Sequence, residues 1–237
     1  MADSNAGIAN DRLGEEDGLV KAIIFDFDGT IIDTETAWYT VFKDAYASYG
    51  VALSLETYAK CLGTNLQDFN PYTYLVTHHQ MDLDEEAFRI SIQGRHAELM
   101  ELEVIRPGIL NLLQQAKEAG LKIGLASSSS RSWIDRFVDA LGIREFFDCY
   151  CTADTVTNVK PDPELYVQAL EQLGVSANEA IAMEDSPNGA RAALAAGLHT
   201  VVVPNTITKQ LPFSTGHHTI DDLEQYDLEQ LLASLVK

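Results

Sequence analysis

Four short apolar runs, each ending abruptly on polar residues, constrain this chain more than any other feature. They are LVKAIIFDF (19–27), KIGLAS (122–127), AIAMED (180–185) and HTVVVP (199–204). Each is shorter than a typical helix and bounded by turn or polar residues, which is how a strand buried on both faces reads. Helical patterns lie among them. GILNLLQQAKEAG (108–120) has apolar residues at helical spacing and a glycine stop, and SSRSWIDRFVDALG (129–142) opens on serine caps and closes on glycine. PDPELYVQALEQLG (161–174) carries proline and acids in its first turn, while SPNGARAALAAG (186–197) is alanine-rich and glycine-terminated. These are ordinary helix start and stop signals. Strands alternating with helices build βαβ units, so the pattern predicts an α/β fold with helices on both faces of a parallel sheet.

The stretch from 35 to 103 breaks that alternation. It holds only amphipathic helical pieces, around Trp38–Gly50, Leu55–Leu62 and Glu85–Leu102, together with half of the chain's aromatic residues. A helical block inserted after the first strand is expected above the carboxyl end of the sheet, where open α/β sheets bind ligands. Most of its aromatics read as the core of a small domain. The predicted organisation is therefore an acidic tail over 1–18, a core domain from 19–34 and 104–237, and an inserted helical cap over 35–103.

Composition narrows the function. With 46% apolar residues in 237, the chain can bury a core, and wholesale disorder is excluded. A net charge of −20 with no basic cluster argues against nucleic acid or an anionic membrane as partner. A small anion would need positive charge gathered locally, from a cation or one buried lysine. No window approaches the ~18 uninterrupted apolar residues of a membrane span. The polar, acidic first eighteen residues do not read as a signal peptide. The expected protein is a cytoplasmic monomer. Cys61, Cys149 and Cys151 lack the partners of a zinc site and read as reduced thiols, and the pairs His78-His79 and His217-His218 lack a third ligand.

Four strand ends carry the chemistry. Asp26-Phe27-Asp28-Gly29-Thr30 begins where the first run stops, and two carboxylates two residues apart on extended backbone point the same way. Close like charges favour a bound cation, although an Asp-Gly turn with solvated acids has the same sequence. Ser127 ends the second run, where its hydroxyl and the following backbone N–H groups suit a phosphate oxygen or simply a helix cap. Lys160 precedes Pro161-Asp162-Pro163 and can offer one positive charge, or be an ordinary solvated lysine. Glu184-Asp185 closes the third run before Ser186-Pro187, and Asp185 reads either as a helix N-cap or as a hard-cation ligand facing Asp26. Each feature is ambiguous alone. Together they collect carboxylates, a hydroxyl and an ammonium at one sheet edge, a set suited to phosphoryl transfer.

DFDGTIIDTE, LASSS, VKPDPELY and MEDSPNGARAALAAG, in this order, resemble the four motifs of the haloacid dehalogenase-like hydrolase superfamily, over residues 20 to about 204. The helical insert after the first motif resembles the cap of the subfamily I branch that contains phosphoglycolate phosphatases and β-phosphoglucomutase. The resemblance implies a Rossmann-like core and a Mg²⁺-dependent phosphatase acting on a small phosphorylated metabolite. By it, Asp26 is the nucleophile that becomes an aspartyl phosphate, and Asp28 is the general acid and base. Mg²⁺ is held by the Asp26 and Asp185 carboxylates and the Asp28 backbone carbonyl, with Glu184 orienting its waters. Ser127 and Lys160 bind the transferring phosphoryl group, with Ser128 beside them, and Thr30 supports the loop.

The cap departs from the mutase pattern. Trp38 stands where β-phosphoglucomutases carry a histidine, and TNLQD after Gly63 has no arginine for a second phosphate. Trp38 is read instead as shaping a pocket for the leaving group. A mutase, a non-catalytic binding protein on the same fold, and a Schiff-base hydrolase using Lys43 or Lys60 are the alternatives.

Overall fold

Ala22, Ile23, Ile24 and Phe25 are all fully buried, so the run AIIF has no solvent face and forms β1 (Ala22–Phe25) at the middle of a sheet. The computed structural model describes residues 20–59 and 70–235. The other strands are β2 (Lys122–Ala126), β3 (Cys149–Cys151), β4 (Ala180–Glu184), β5 (His199–Val202) and β6 (His218–Thr219). All neighbours pair in parallel, in the order β3-β2-β1-β4-β5-β6. The chain therefore leaves β1 toward one edge and later returns to its other side. That makes the carboxyl end of β1 the topological switch point, where such sheets bind ligands.

The described residues separate into two compact units. One comprises 20–32, 105–204 and 213–235, and the other 33–59, 70–104 and 205–212. The helices of the first are α5 (Ile109–Glu118), α6 (Arg131–Ala140), α7 (Glu164–Leu173), α8 (Pro187–Ala195) and α9 (Leu228–Ser234), numbered after the four that precede them in the chain. Leu165, Tyr166, Ala169, Leu170 and Leu173 of α7 and Ala192 and Ala193 of α8 pack on Ala22, Ile24, Ala180 and Ala182. Alanines on β1, β4 and α8 let these elements approach closely, and the longer side chains of α7 fill the remaining space. The helix α5 packs on β2, and α9 on α5.

The second unit is built from α1 (Thr34–Ser48), α2 (Leu55–Tyr58), α3 (Pro71–His78) and α4 (Glu85–Met100). Its core joins Val41, Tyr46, Leu53, Tyr58, Leu75, Phe88 and Ile92, with Trp38, Tyr39, Phe42 and Tyr72 packed around them. Ile207 enters the same core, which explains why 205–212 belongs to this unit although nothing in that stretch marks it as helical-domain sequence. Sequence reading also missed α3, whose signal is Asn70-Pro71: the Asn70 side chain accepts hydrogen bonds from the Tyr72 and Thr73 backbone N–H groups.

No helix among the described residues is long and apolar enough to cross a membrane. Cys149 and Cys151 are buried, unbridged residues of β3, a strand too short for periodicity to reveal. His78 stacks on Tyr74, with His79 edge-on to the same ring. The expected tail over 1–18, Cys61, Lys60, Gly63 and the TNLQD that follows it, and the end of the Leu55–Leu62 piece lie outside the described residues.

Candidate active site

Asp26 is the first residue past β1, and its backbone N–H donates to the Met183 carbonyl, extending the β1–β4 pairing by one step. That register sets Asp26 beside the end of β4, where Glu184 and Asp185 stand. One oxygen from each of Asp26, Glu184 and Asp185 lies within 4.8 Å of the others, and all three residues are buried. Among the described residues this is the one group of three or more such side chains that could share a cation. His199, His217 and His218 line a separate cavity of about 320 Å³ at the β5–β6 edge without converging as ligands.

Lys160 supplies the local positive charge. Its side chain, 5% exposed, donates to Asp26 Oδ1 at 2.6 Å, to Glu184 Oε1 at 2.7 Å and to the Ala126 carbonyl at 2.7 Å. All three ammonium protons are thus used. Burial opposes the charge, but the Asp26 and Glu184 carboxylates outweigh burial and hold the Lys160 pKa above its ordinary value. Tyr166 of α7 donates to the same Glu184 oxygen at 2.6 Å, and burial followed by the Glu184 charge raises its pKa.

Space for the acids comes from two glycines. Gly29 has φ +89°, and a Cβ there would collide with the Asp185 carboxylate. A Cβ at Gly189, in the first turn of α8, would collide with the Glu184 carboxylate. The α8 N-cap is Ser186, whose Oγ accepts the Gly189 N–H at 3.0 Å. Asp185 is therefore not spent on capping, and Thr30 Oγ1 donates to it at 3.4 Å. The loop after Asp26 is pinned from outside: the Arg106 guanidinium donates to the carbonyls of Gly29, Val203 and Pro204.

The residues present fit a divalent cation. Three buried carboxylates converge beside a single ammonium. Asp26 Oδ2 is buried with no hydrogen-bond partner. Hard oxygen donors with excess negative charge are the donor set of such ions.

Asp28 sits apart from this cluster. Its Oδ2 accepts from Ser129 Oγ at 2.6 Å and Ser127 Oγ at 3.3 Å, and its Oδ1 from Trp133 Nε1 at 2.8 Å. Burial pushes its pKa up to about 6 against those lowering hydrogen bonds, and the neighbouring Asp26 adds to the rise. Ser127 is set by its N–H on the Cys151 carbonyl, and its Oγ also accepts the Ser129 N–H at 3.0 Å. Ser128 is exposed and its side chain joins none of these bonds.

Asp26, Asp28, Ser127, Lys160, Glu184 and Asp185 thus meet in one unit. Trp38 belongs to the other, where it stacks on His96 at 3.6 Å between centroids and lines a cavity of about 270 Å³ with Phe42, Tyr72, Phe88 and Ile92. Ser129, Trp133, Tyr166 and Arg106 escaped sequence reading. Ser129 and Trp133 read there as capping and helical-face residues, and only the fold reveals their partner.

The family model described as "Haloacid dehalogenase-like hydrolase" matches residues 23–203. YhcW of Bacillus subtilis is 42% identical over 92% of this chain and 98% of its own. The phosphorylated carbohydrates phosphatase of Thermotoga maritima is 28% identical over 77% of this chain and 84% of its own. A crystal structure of a CbbY mutant from Rhodobacter sphaeroides in complex with xylulose-(1,5)bisphosphate superposes with a TM-score of 0.70 at 29% identity, covering 90% of this chain and 99% of that one. With its six-stranded parallel sheet and the matched motifs, the chain belongs to the haloacid dehalogenase-like hydrolases, in subfamily I.

Proposed function

We propose that this hydrolase is a Mg²⁺-dependent phosphatase of a small organic phosphomonoester, acting through an aspartyl phosphate on Asp26. The observation that carries the reading is Asp26 itself: one oxygen is fixed by Lys160, and the other is buried without a partner. An oxygen in that state keeps its lone pairs for an electrophile.

Attack by Asp26 on phosphorus forms the acyl phosphate as the bond to the leaving oxygen breaks. Asp28 gives its proton to that oxygen. Now ionised, it takes a proton from a water that attacks the same phosphorus, which releases phosphate and regenerates Asp26. A carboxyl raised to about 6 suits both halves of the cycle, since it can hold or give a proton near neutrality. Lys160 orients Asp26, Ser127 binds a phosphoryl oxygen, and exposed Ser128 is open to substrate. Mg²⁺ is assigned to Asp26, Asp185 and the Asp28 backbone carbonyl, with Glu184 behind them. When bound, it supplies positive charge against the phosphoryl oxygens.

The substrate class we favour is a phosphorylated carbohydrate, supported by the names of the Thermotoga relative and of the bisphosphate complex. Trp38 and the aromatics around it are assigned to leaving-group selection. Hydrolysis is preferred to isomerisation because Trp38 stands where the mutase pattern has histidine.

The test is phosphate release from para-nitrophenyl phosphate and a panel of sugar phosphates, with Mg²⁺ or chelator, for the wild type and Asp26→Asn. Mg²⁺-dependent release that disappears in the variant is the expected result. Release that survives Asp26→Asn overturns the assignment, and isomerised sugar phosphate without free phosphate identifies a mutase.

A further inference from the structure

Asp28 is gripped from one short segment. Ser127, Ser129 and Trp133 all reach it, and they occupy the turn after β2 and the first turn of α6. Trp133 is held there in turn: its backbone N–H donates to the Ser130 N-cap at 3.3 Å, and its ring packs edge-on against Phe137, 4.7 Å between centroids.

The three donors are not equivalent. A serine hydroxyl both donates and accepts, and rotates to suit, whereas an indole nitrogen only donates. A proton on Asp28 Oδ1 would turn the acceptor of the Trp133 N–H, 2.8 Å away, into a carboxyl hydroxyl oxygen, a much poorer acceptor than a carbonyl oxygen. A proton on Oδ2 meets hydroxyls that can turn to accept it, at 2.6 Å for Ser129 and 3.3 Å for Ser127.

We infer that Trp133 is a positioning residue for Asp28: its N–H commits Oδ1 as an acceptor, so the proton delivered to the leaving group is carried on Oδ2. This rests on the reading of Asp28 as the general acid. In the first step the O–H bond on Oδ2 breaks, the proton goes to the departing oxygen, and the carboxylate that remains keeps all three donors. The Trp133 bond therefore strengthens as charge develops on Asp28, which helps the transition state more than the ground state.

The test separates a positioning role from a structural one by leaving group. Acetyl phosphate and para-nitrophenyl phosphate expel groups that need little protonation, whereas phenyl phosphate expels one that does. The quantity read is kcat/KM, which reports the phosphorylation step, for wild type, Trp133→Phe and Asp28→Asn. Trp133→Phe is expected to lower kcat/KM about tenfold with phenyl phosphate, the worth of one hydrogen bond to a charged group, and less than about twofold with the other two. Equal losses on all three substrates, or none, with Asp28→Asn still selective for phenyl phosphate, overturn the role of Trp133 alone. An Asp28→Asn variant whose losses do not depend on the leaving group overturns the reading of Asp28, and the inference with it. If Trp133→Phe does not fold, the same comparison is made with the tryptophan isostere at 133 in which sulfur replaces the indole N–H.

Discussion

Lys160 Nζ lies 2.6 Å from Asp26 Oδ1, and the second oxygen of the same carboxylate, buried beside it, has no hydrogen-bond partner. The ammonium therefore orients the nucleophile without covering the oxygen that would attack. It also offsets the charge of Glu184, on which Tyr166 converges as well.

Removing that ammonium leaves two buried carboxylates without their counter-charge. Lys160→Met should cost about 3–5 kcal/mol in urea denaturation without divalent cation, as for other broken buried pairs. Added Mg²⁺ should recover part of the loss, by binding the folded state at the same acids. A loss under about 1 kcal/mol would mean that the cluster is not charged as described.

Gly189→Ala distinguishes packing from propensity. In a helix, alanine for glycine ordinarily gains up to about 1 kcal/mol. Here the new Cβ would meet the Glu184 carboxylate, which is fixed by Lys160 and Tyr166. The variant should melt lower than wild type and bind Mg²⁺ more weakly by calorimetry. A higher melting temperature with unchanged affinity would refute the close approach.

Arg106 holds three backbone carbonyls, including that of Gly29 in the loop after Asp28. Lysine cannot span the three with one planar fork, so Arg106→Lys should lose about 2 kcal/mol of stability despite its conserved charge. Equilibrium denaturation checks the loss. An unaltered midpoint would show that the guanidinium bonds contribute nothing net.

His96 provides a pH test in the helical unit. Burial lowers its pKa from 6.5 to about 4. Between those values the unfolded chain binds the extra proton, so this stabilising contribution is complete above about 6.5 and is lost as pH falls toward 4. The loss approaches about 3 kcal/mol at the acid end. Denaturation curves of His96→Phe, subtracted from wild type across this window, should show a difference that falls with pH by that order. A pH-independent difference would contradict the buried, neutral imidazole.

Asp26, Ser127, Glu184 and Asp185 were legible because each stands at the end of an apolar run, whereas Lys160 lies in a turn well past β3 and was found by its Lys-Pro motif. Asp26, Ser127 and Glu184-Asp185 follow or finish β1, β2 and β4, and parallel strands bring equivalent ends together whatever lies between. Partners reached only through tertiary contact were not legible: Trp133 and Asp28 are 105 residues apart, and the indole reads locally as a helical apolar position. Whether Asp185 caps a helix or serves a cation was open in sequence because aspartate does both, and the backbone geometry gives the cap to Ser186 instead. The edge strands β3 and β6, of three and two residues, are too short for any period to register.

The central claim is the covalent bond to Asp26, and trapping it is the most direct measurement. Borohydride reduces an acyl phosphate to the alcohol, so quenching the protein during turnover and digesting it for mass spectrometry should reveal homoserine at position 26. With acetyl phosphate, whose leaving group needs little protonation, Asp28→Asn should increase the yield by slowing hydrolysis of the intermediate. Homoserine at Asp28 or Asp185, or none at 26 while phosphate is still released, would contradict the mechanism.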